Sequence, residues 1–234
     1  MIVTIHQPQY LPWLGYFDKA DRAEIFILLD DVQFKKNEWQ NRNKIRTSQG
    51  WQWLTVPVLH DFGQKINEVQ INNEIDWKKS HFKALQLNYG KAPFYRQYIG
   101  EFESIYKKDW EFLADVNIYF IERILEFLGM KTKIVLSSQF KVTEDATQRL
   151  VELCKQYKAT TYISGKDGQK YMDDKLFKEN NIQIVTQDYQ HPVYAQQWNN
   201  ESEEGFLSHM SIVDVLFNHG PDSLNIIRNK KEAV

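Results

Sequence analysis

Short apolar runs and amphipathic segments alternate at the start of the chain. Residues 2–5 form a β-branched run typical of a buried strand, and residues 25–29 form a second one. Between them, residues 13–23 carry apolar side chains at helical spacing, with charged side chains at the remaining positions. Strand, helix and strand in this order predict a parallel sheet with a right-handed crossover.

The same alternation returns in the second half of the chain. We predict strands at residues 133–136, 161–164 and 182–186, and helices at residues 144–157 and 169–179. An apolar segment at residues 207–221 is predicted to be a short helix that ends at Gly220. The predicted class is therefore α/β, with a Rossmann-like, mostly parallel sheet.

The middle of the chain follows a different pattern. Residues 52–58 and 66–71 are predicted to pair as a β-hairpin. Residues 77–130 have helical spacing, with breaks near Gly90 and Lys107. No linker rich in Pro or Ser divides the sequence, so we predict a single α/β domain over residues 1–234. Residues 76–130 would be a helical insert or cap, acting either as a lid or as the surface of a homodimer.

Composition and charge narrow the classes of function. With 42% hydrophobic and 26% charged residues, the sequence is typical of a folded globular protein. A formal net charge of -2 disfavours a surface that neutralises a nucleic-acid backbone, so no nucleic-acid partner is expected. The apolar runs are shorter than the ~20 residues of a membrane helix. No signal-peptide pattern is present, so we expect a cytoplasmic protein without membrane insertion.

The histidines and the single cysteine do not form a metal-binding pattern. The six histidines lack i, i+4 pairing and have no neighbouring ligands at metal-site spacing. Cys154 is the only cysteine and lies in a segment with helical spacing, where a small core residue is the better interpretation. No metal site is predicted.

The candidate site follows the first predicted strand. His6 lies in a loop that Pro8 and Pro12 would make rigid, beyond the carboxyl end of that strand, where ligands bind in parallel α/β sheets. A neutral histidine is a usable general base, so His6 is predicted to be catalytic. The alternative is a histidine that only ties down its own loop. The polar and aromatic residues after it are predicted to bind the substrate: Gln7, Gln9, Tyr10 and Trp13.

Two further segments carry charged groups that suit a binding site. Asp30 and Asp31 follow the second strand, and Asp31 is predicted to be catalytic by polarising His6 or binding an amine, with Asp30 contacting the substrate. The alternative is a carboxylate that caps a turn. In the segment that follows along the chain, cationic side chains are mixed with side-chain amides. This combination suits recognition of a phosphate or carboxylate group. The candidate residues there are Arg42, Asn43 and Lys44, although such a charge run is often a solvated face.

A Ser-Gly-Lys turn between a predicted strand and a predicted helix is a second candidate for phosphate binding. Ser164, Lys166 and Asp167 lie in this turn, whose backbone amides could hold a phosphate at a helix amino terminus. The spacing of a Walker A loop is absent, and a plain strand-to-helix turn is an equal alternative.

These motifs resemble those of the WbqC-like family. The resemblance begins at His6-Gln7-Pro8-Gln9-Tyr10-Leu11-Pro12-Trp13 and continues through Asp30-Asp31-Val32-Gln33-Phe34 and Arg42-Asn43-Lys44-Ile45. It extends to His191-Pro192-Val193-Tyr194 and to residues 211–221, so it spans nearly the whole chain. Through these last two segments it adds three residues to the candidate substrate-binding set: His191, Asn218 and His219.

The resemblance implies a bacterial enzyme of surface-polysaccharide (O-antigen) or secondary-metabolite biosynthesis. Such an enzyme would transfer a small acyl or aminoacyl group, for example glycine, to the amine of a nucleotide-linked amino sugar. His6 would then be the base or transition-state stabiliser, and Arg42 and Lys166 would hold phosphates. The alternative function is a non-catalytic nucleotide-sugar-binding or accessory protein of a polysaccharide assembly complex.

The predicted order of elements is also similar to that of nucleotidyltransferases related to pantothenate synthetase. That similarity implies activation of a carboxylate by ATP. The loop of those enzymes carries two histidines separated by two residues, whereas here Gln9 stands in place of the second histidine after His6. The acyl donor is therefore expected to be either an adenylate made from ATP or a thioester on an acyl carrier protein.

Overall fold

Strands and helices alternate at both ends of the chain, and its longest helices occupy the middle. The structure is a computed structural model that describes residues 1–166, 168, 172–198 and 205–229. Its strands are β1 (Ile2–His6), β2 (Ile25–Leu28), β3 (Arg42–Thr47), β4 (Gly50–Thr55), β5 (Val58–Leu59), β6 (Gln70–Ile71), β7 (Lys133–Leu136), β8 (Thr161–Ser164) and β9 (Gln183–Thr186). Its helices are α1 (Leu14–Asp21), α2 (Trp77–Tyr89), α3 (Tyr95–Lys107), α4 (Leu113–Phe127), α5 (Ala146–Gln156), α6 (Asp174–Glu179), α7 (Ile212–His219) and α8 (Ser223–Ile227).

The central sheet has five parallel strands in the order β7-β2-β1-β8-β9. In the middle strand, Val3 pairs with Ile25 of β2 on one side and with Tyr162 of β8 on the other. The chain passes from β1 to β2 and β7 and then returns to the opposite side of β1 with β8. This reversal is a topological switch point, and ligands of such sheets bind beside it at the carboxyl ends of the strands. The predicted α/β class with a Rossmann-like sheet is confirmed.

Both faces of the sheet are covered, which explains the unbroken apolar runs of its strands. On one face, Phe26 and Leu28 join a core built with α1 to α4 and α7. On the other face, Ile25 and Ile27 pack with side chains of α5 and α6. Each fully buried side chain of this kind stabilises the fold by about 1.5–3 kcal/mol relative to an exposed one. A strand that is buried on both faces does not alternate apolar and polar residues. The spacing of its apolar residues therefore does not distinguish it from a buried helix.

The β-hairpin lies earlier in the chain than the sequence predicts. Its strands are β3 and β4, paired antiparallel from Arg42 with Thr55 to Thr47 with Gly50. The predicted pairing of residues 52–58 with 66–71 was therefore wrong in its extent: only β5 and β6 pair there, and Ile66–Glu68 forms a 3-10 helix. β3 escaped prediction because cations at alternate positions resemble a solvated charge run, while the side chains between them are buried.

The helical stretch agrees with the prediction for residues 77–130, where α2, α3 and α4 are separated near Gly90 and Lys107. Their apolar faces pack into the same core as the sheet and α7. The last predicted helix is shorter than expected, because Ser211 caps α7 at its start and Gly220 ends it with a φ of +53°. No helix in the described part of the chain is both long and apolar enough to cross a membrane. The single domain and the role of the helices as a cap stay predictions.

The loop between β1 and α1 is held by side chains from several later elements. The Asn43 side-chain amide donates a hydrogen bond of 2.7 Å to the carbonyl of Leu11, whose φ of +44° is rare for a leucine. The Tyr10 hydroxyl lies 2.8 Å from Nδ1 of His81 and 2.7 Å from the Tyr106 hydroxyl, all three in the core. At the other end of the loop, the Tyr16 hydroxyl donates to a backbone carbonyl at 3.2 Å. The loop is therefore fixed along its length.

Substitution of Asn43 tests this fixation. We expect Asn43→Ala to lower the free energy of unfolding by about 2–3 kcal/mol, because it leaves the buried Leu11 carbonyl without a donor and releases a left-handed residue. A matched control is Asn88→Ala, which removes a similar 2.9 Å bond to the Ala84 carbonyl on the more open surface of α2. That variant should lose less than about 1 kcal/mol. Chemical denaturation compares them, and equal losses would contradict a special role for Asn43.

Candidate functional site

A crevice of about 680 Å³ opens beside the carboxyl ends of β1 and β8. It receives His6 from the end of β1, Lys19 from α1, Ser164 from the end of β8, and Gln187 and Tyr189 from the segment after β9. Its volume lies within the range of about 300–1,000 Å³ found for small-molecule sites. Because it coincides with the switch point of the sheet, we take it as the candidate functional site.

His6 presents a hydrogen-bond acceptor to this crevice. Its Nδ1 lies 3.2 Å from the backbone carbonyl of Gln7, and since a carbonyl can only accept, Nδ1 carries the proton and Nε2 keeps a lone pair. Burial, together with the neighbouring Lys19 charge, lowers the pKa of His6 to about 3. The ring packs edge-on against Tyr16 with centroids 5.0 Å apart. At neutral pH the imidazole is therefore uncharged, fixed in orientation and basic only toward a strong proton donor.

Lys19 is one of the residues of this site that the sequence did not indicate. It is only 2% exposed, and its Nζ donates a 3.3 Å hydrogen bond to the carbonyl of Ile5. The neighbouring Asp18 carboxylate is held by Gln187 at 2.7 Å and by Arg22 at 3.5 Å. No described carboxylate forms an ion pair with Lys19, and burial lowers the pKa of its amine to about 7. An amine of this kind changes its charge near neutral pH.

A weak signal for Lys19 exists in the helical spacing. Lys19 follows Gly15 by four residues and Tyr16 by three, so all three share one face of α1. Both of these neighbours are buried. Asp18, Asp21 and Arg22 surround Lys19 in sequence and resemble a solvated face, which hides this relation.

Two polar groups of the crevice have no partner among the described residues. Oε1 of Gln9 is buried and accepts no hydrogen bond from them, although the side chain is only 7% exposed. The Tyr189 hydroxyl likewise has no hydrogen-bond partner among the described residues. Burial raises the pKa of this hydroxyl, so it stays a neutral donor. Buried polar groups are normally paired, since leaving one unpaired costs about 1–3 kcal/mol. Both groups line the crevice, where a ligand could satisfy them.

Aromatic rings form the walls of the crevice. The Trp13 ring lies 4.9 Å from the His209 ring and 5.6 Å from the Tyr189 ring, and it stacks on His191 at 6.2 Å. Burial lowers the pKa of His191 to about 4 and also lowers that of His209, so both rings are neutral near pH 7. A Cβ at Gly15 would lie 2.2 Å from the Trp13 ring, so only glycine lets this indole fold over α1.

The crevice brings together five of the residues predicted from the sequence: His6, Gln9, Trp13, Ser164 and Lys166. Ser164 is buried and its hydroxyl donates to the carbonyl of Gly165 at 3.0 Å, while Lys166 is exposed. Asp167, the third predicted residue of that turn, lies outside the described residues. The residues that reach the crevice without having been predicted include Lys19, Tyr189 and Gln187.

The two predicted carboxylates lie at the junction of β2, β7 and α5. Asp30 accepts hydrogen bonds from the backbone amide and the hydroxyl of Ser138, at 3.0 and 2.6 Å. Asp31 accepts from the Ser137 hydroxyl and forms an ion pair of 3.7 Å with Arg149. These contacts give both carboxylates partners of their own. The structure therefore does not bring Asp31 into contact with His6.

Other predicted residues hold the loop or pack on the hairpin. The Gln7 side chain accepts a 2.8 Å hydrogen bond from Gln40, and Tyr10 and Asn43 make the buried contacts described above. Arg42 lies over the Trp53 ring at 4.2 Å, and Lys44 lies over the Trp51 ring at 4.1 Å.

The predicted residues near the carboxyl end contact that part of the chain. Asn218 donates to the carbonyl of Asp214 at 2.7 Å, within α7. Nε2 of His219 donates to the carbonyl of Ala195 at 2.9 Å. His191 lies behind Trp13, and its Nε2 accepts from the His209 backbone amide at 3.1 Å. These three residues support the wall of the crevice or α7. Among the described residues, no group of three or more His, Cys, Asp or Glu side chains is arranged to hold a metal ion.

Comparison with known proteins gives two matches along almost the whole chain. The model of the WbqC-like protein family matches residues 7–226. The uncharacterized protein Rv1507c of Mycobacterium tuberculosis is 37% identical over 230 residues, covering 97% of each chain. No solved structure matches. The family match contains every part of the crevice except the end of β1.

Removal of the buried amine of Lys19 is predicted to increase the stability of the fold. The pKa of the Lys19 amine falls from about 10.4 in the unfolded chain to about 7 in the folded protein. The buried lysine therefore destabilises the fold by its full amount below pH 7, and by less as the pH rises toward 10.4. We expect Lys19→Met to raise the free energy of unfolding by about 1–4 kcal/mol at neutral pH, and by less near pH 10. The exposed Lys83→Met should change it by less than about 0.5 kcal/mol. Denaturant titration at both pH values would contradict this if Lys19→Met were the less stable protein.

Proposed function

The chain belongs to the WbqC-like protein family, and we propose that it is an N-acyl or aminoacyl transferase. In this proposal it forms an amide bond on an amino sugar, carried on a nucleotide, in the biosynthesis of a surface polysaccharide or another glycan. The observation that carries the proposal is the crevice at the switch point. There the neutral imidazole of His6 and the Gln9 side chain, whose Oε1 has no partner among the described residues, line one cavity with a buried amine.

Amide formation needs acceptors for the protons of the attacking amine. The ammonium form first loses one proton to water, and the nitrogen lone pair then attacks the acyl carbon. The bond from that carbon to the leaving phosphate or thiolate breaks, and the second N–H proton passes through water to this leaving group. Nε2 of His6 and Oε1 of Gln9 are two acceptors that can hold the N–H groups and orient that lone pair. Because the pKa of His6 is low, its main contribution is to accept a hydrogen bond that strengthens as positive charge develops on the nitrogen. Removal of one preorganised hydrogen bond to charge that develops in the transition state typically costs about 10²–10³-fold in kcat.

The walls of the crevice suit a sugar or a base. Trp13 and Tyr189 present aromatic surface inside it, and Trp39 is 38% exposed at its edge. Trp39 also contacts Trp53 with ring centroids 5.6 Å apart, and the Arg42 guanidinium lies over Trp53. In the proposal, Lys166 binds a phosphate at the crevice. Arg42 is stacked on Trp53 and does not line the crevice, so it is no longer assigned to phosphate binding.

The acyl donor is the point on which two versions of the proposal differ. In one version, ATP and an amino acid form an adenylate on the enzyme. In the other, an acyl carrier protein delivers a thioester. Formation of AMP with ATP and glycine supports the first version, whereas turnover without ATP, once a carrier thioester is supplied, supports the second.

Substitution of His6 tests the catalytic proposal. The purified protein is incubated with nucleotide-linked amino sugars, glycine and ATP, or with a carrier thioester, and a new amide mass is sought by mass spectrometry. We expect His6→Ala to lower kcat by about 100-fold or more while KM changes by only a few-fold. The control is His60→Ala, because Nδ1 of His60 donates to the carbonyl of the next residue, as in His6, but outside the crevice.

The alternative of a binding protein gives a different result in the same experiment. If the chain only binds a nucleotide sugar, no amide mass appears with either donor, and His6→Ala changes affinity alone. That outcome, in a protein that stays folded and binds the sugar, would replace the transferase proposal with the accessory role.

A further inference from the structure

The charged side chains in the described lining of the crevice have one sign. Its described lining contains two lysines, Lys19 and Lys166, and no aspartate or glutamate. Lys19 is buried and Lys166 is exposed, so one charge lies inside the protein and the other near the solvent. The carboxylate next to Lys19, that of Asp18, is bound by Gln187 and Arg22. A cavity lined in this way attracts an anion, because the buried cation is poorly screened by water.

The uncharged groups of the lining add hydrogen bonds and ring contacts. The Tyr189 hydroxyl is a buried donor without a partner among the described residues, and the Gln9 amide is more than nine-tenths buried with its oxygen unpaired. Trp13, Tyr16 and Tyr189 surround the same volume with aromatic surface. A ligand that satisfies this lining combines an anionic group with a flat ring, and the volume of about 680 Å³ suits a molecule of nucleotide size.

We propose that Lys19 is the phosphate receptor of the crevice and binds, together with Lys166, a phosphate group of a nucleotide-type ligand. This inference deepens the proposed function and uses the same crevice, since it names the class of ligand. That phosphate belongs either to ATP or to a nucleotide-linked sugar, and the two share the chemistry that Lys19 recognises. Lys19 then has a reason to be buried without a carboxylate, because the ligand supplies the counter-charge.

Phosphate binding at Lys19 should be coupled to uptake of a proton. In the free protein the amine has a pKa of about 7, and a bound phosphate favours its charged form and raises that pKa. At about pH 8.5 the free amine is mostly neutral and the terminal phosphate of the ligand is already fully ionised, so a proton taken up on binding enters the protein.

The other ionisable groups around Lys19 do not compete for this proton. Burial lowers the pKa of His6 to about 3 and lowers that of His209, so both stay neutral at this pH. Burial raises the pKa of each lining tyrosine, so these hydroxyls keep their protons: Tyr16, Tyr162 and Tyr189. Among the described residues, Asp18 and Lys166 also face the site, and the charge of Lys44 lies close enough to His209 to help lower its pKa. Lys19 is therefore the group expected to change its charge.

Isothermal titration calorimetry with ADP and with UDP measures this coupling in the full chain. At about pH 8.5, titrations in two buffers of different ionisation enthalpy should give an uptake approaching one proton for each nucleotide bound. The affinity should fall by up to about tenfold for each pH unit above 7. A preference for ADP assigns the phosphate to ATP, and a preference for UDP assigns it to a nucleotide-linked sugar.

Three variants separate the role of Lys19 from general effects. Lys19→Met should bind the better nucleotide about 10- to 100-fold more weakly and lose the proton uptake, because it removes a charge-assisted hydrogen bond. Tyr189→Phe should weaken binding by only several-fold and keep the uptake. Lys83→Met, an exposed lysine of α2, should match the wild type. Circular dichroism checks folding, and if Lys19→Met does not fold, the proton uptake and pH dependence of the wild type decide the question.

The outcomes that overturn this inference differ from those that overturn the transferase proposal. The inference fails if the folded wild type binds neither nucleotide, or binds without proton uptake, or if Lys19→Met binds as tightly with the same uptake. If the protein forms an amide from a carrier thioester but binds no nucleotide, the transferase proposal stands and the inference about Lys19 fails. If the protein binds a nucleotide with proton uptake but forms no amide from any donor, the inference about Lys19 stands and the transferase proposal fails.

Discussion

The hydrogen bond from the Asn43 amide to the Leu11 carbonyl is the contact on which the geometry of the site depends. It holds Leu11 in a left-handed conformation that costs on the order of 1–3 kcal/mol for a residue with a side chain. The turn that results directs the chain from β1 into α1 within a few residues. His6 and Gln9 precede the turn and Lys19 follows it, so one backbone conformation determines where all three side chains lie. A loop of different shape would separate them.

The rigidity of this loop allows the crevice to contain groups that are not satisfied. Among the described residues, the Lys19 amine has no carboxylate partner, and the Gln9 Oε1 and the Tyr189 hydroxyl have no hydrogen-bond partner. Such groups would normally draw in other side chains, or the segment that carries them would shift. Here Tyr10 is bound to His81 and Tyr106 in the core, and Tyr16 is bound to the Gln7 carbonyl, so relaxation is blocked from both ends of the loop. Packing of the core therefore offsets the stability that these groups of the site cost, as is common where a binding site is preorganised.

The sequence predicted the sheet well and the crevice in part, for reasons that differ between residues. Strands buried on both faces leave apolar runs that are visible without the structure, and residues that follow such strands, such as His6 and Ser164, reach the switch point by topology alone. β3 was missed because Arg42 and Lys44 pack on Trp53 and Trp51 of the neighbouring strand, a contact that no local pattern reveals. Lys19 was missed because its amine is bound to the Ile5 carbonyl of β1, a contact that its own neighbours in sequence do not reveal.

The residues that carry the family resemblance divide into two physical roles, which limits what such a resemblance can say about chemistry. Tyr10, Asn43 and Asn218 hold backbone or core groups, whereas His6, Gln9 and Trp13 face the crevice. A matching motif therefore reports the shape of the loop as much as the reaction that occurs beside it. The charge and the unpaired groups of the lining depend also on Lys19 and Tyr189, which lie outside the motifs recognised in the sequence. Because a buried amine without a counter-charge is costly to the fold, these residues are the better guide to the ligand.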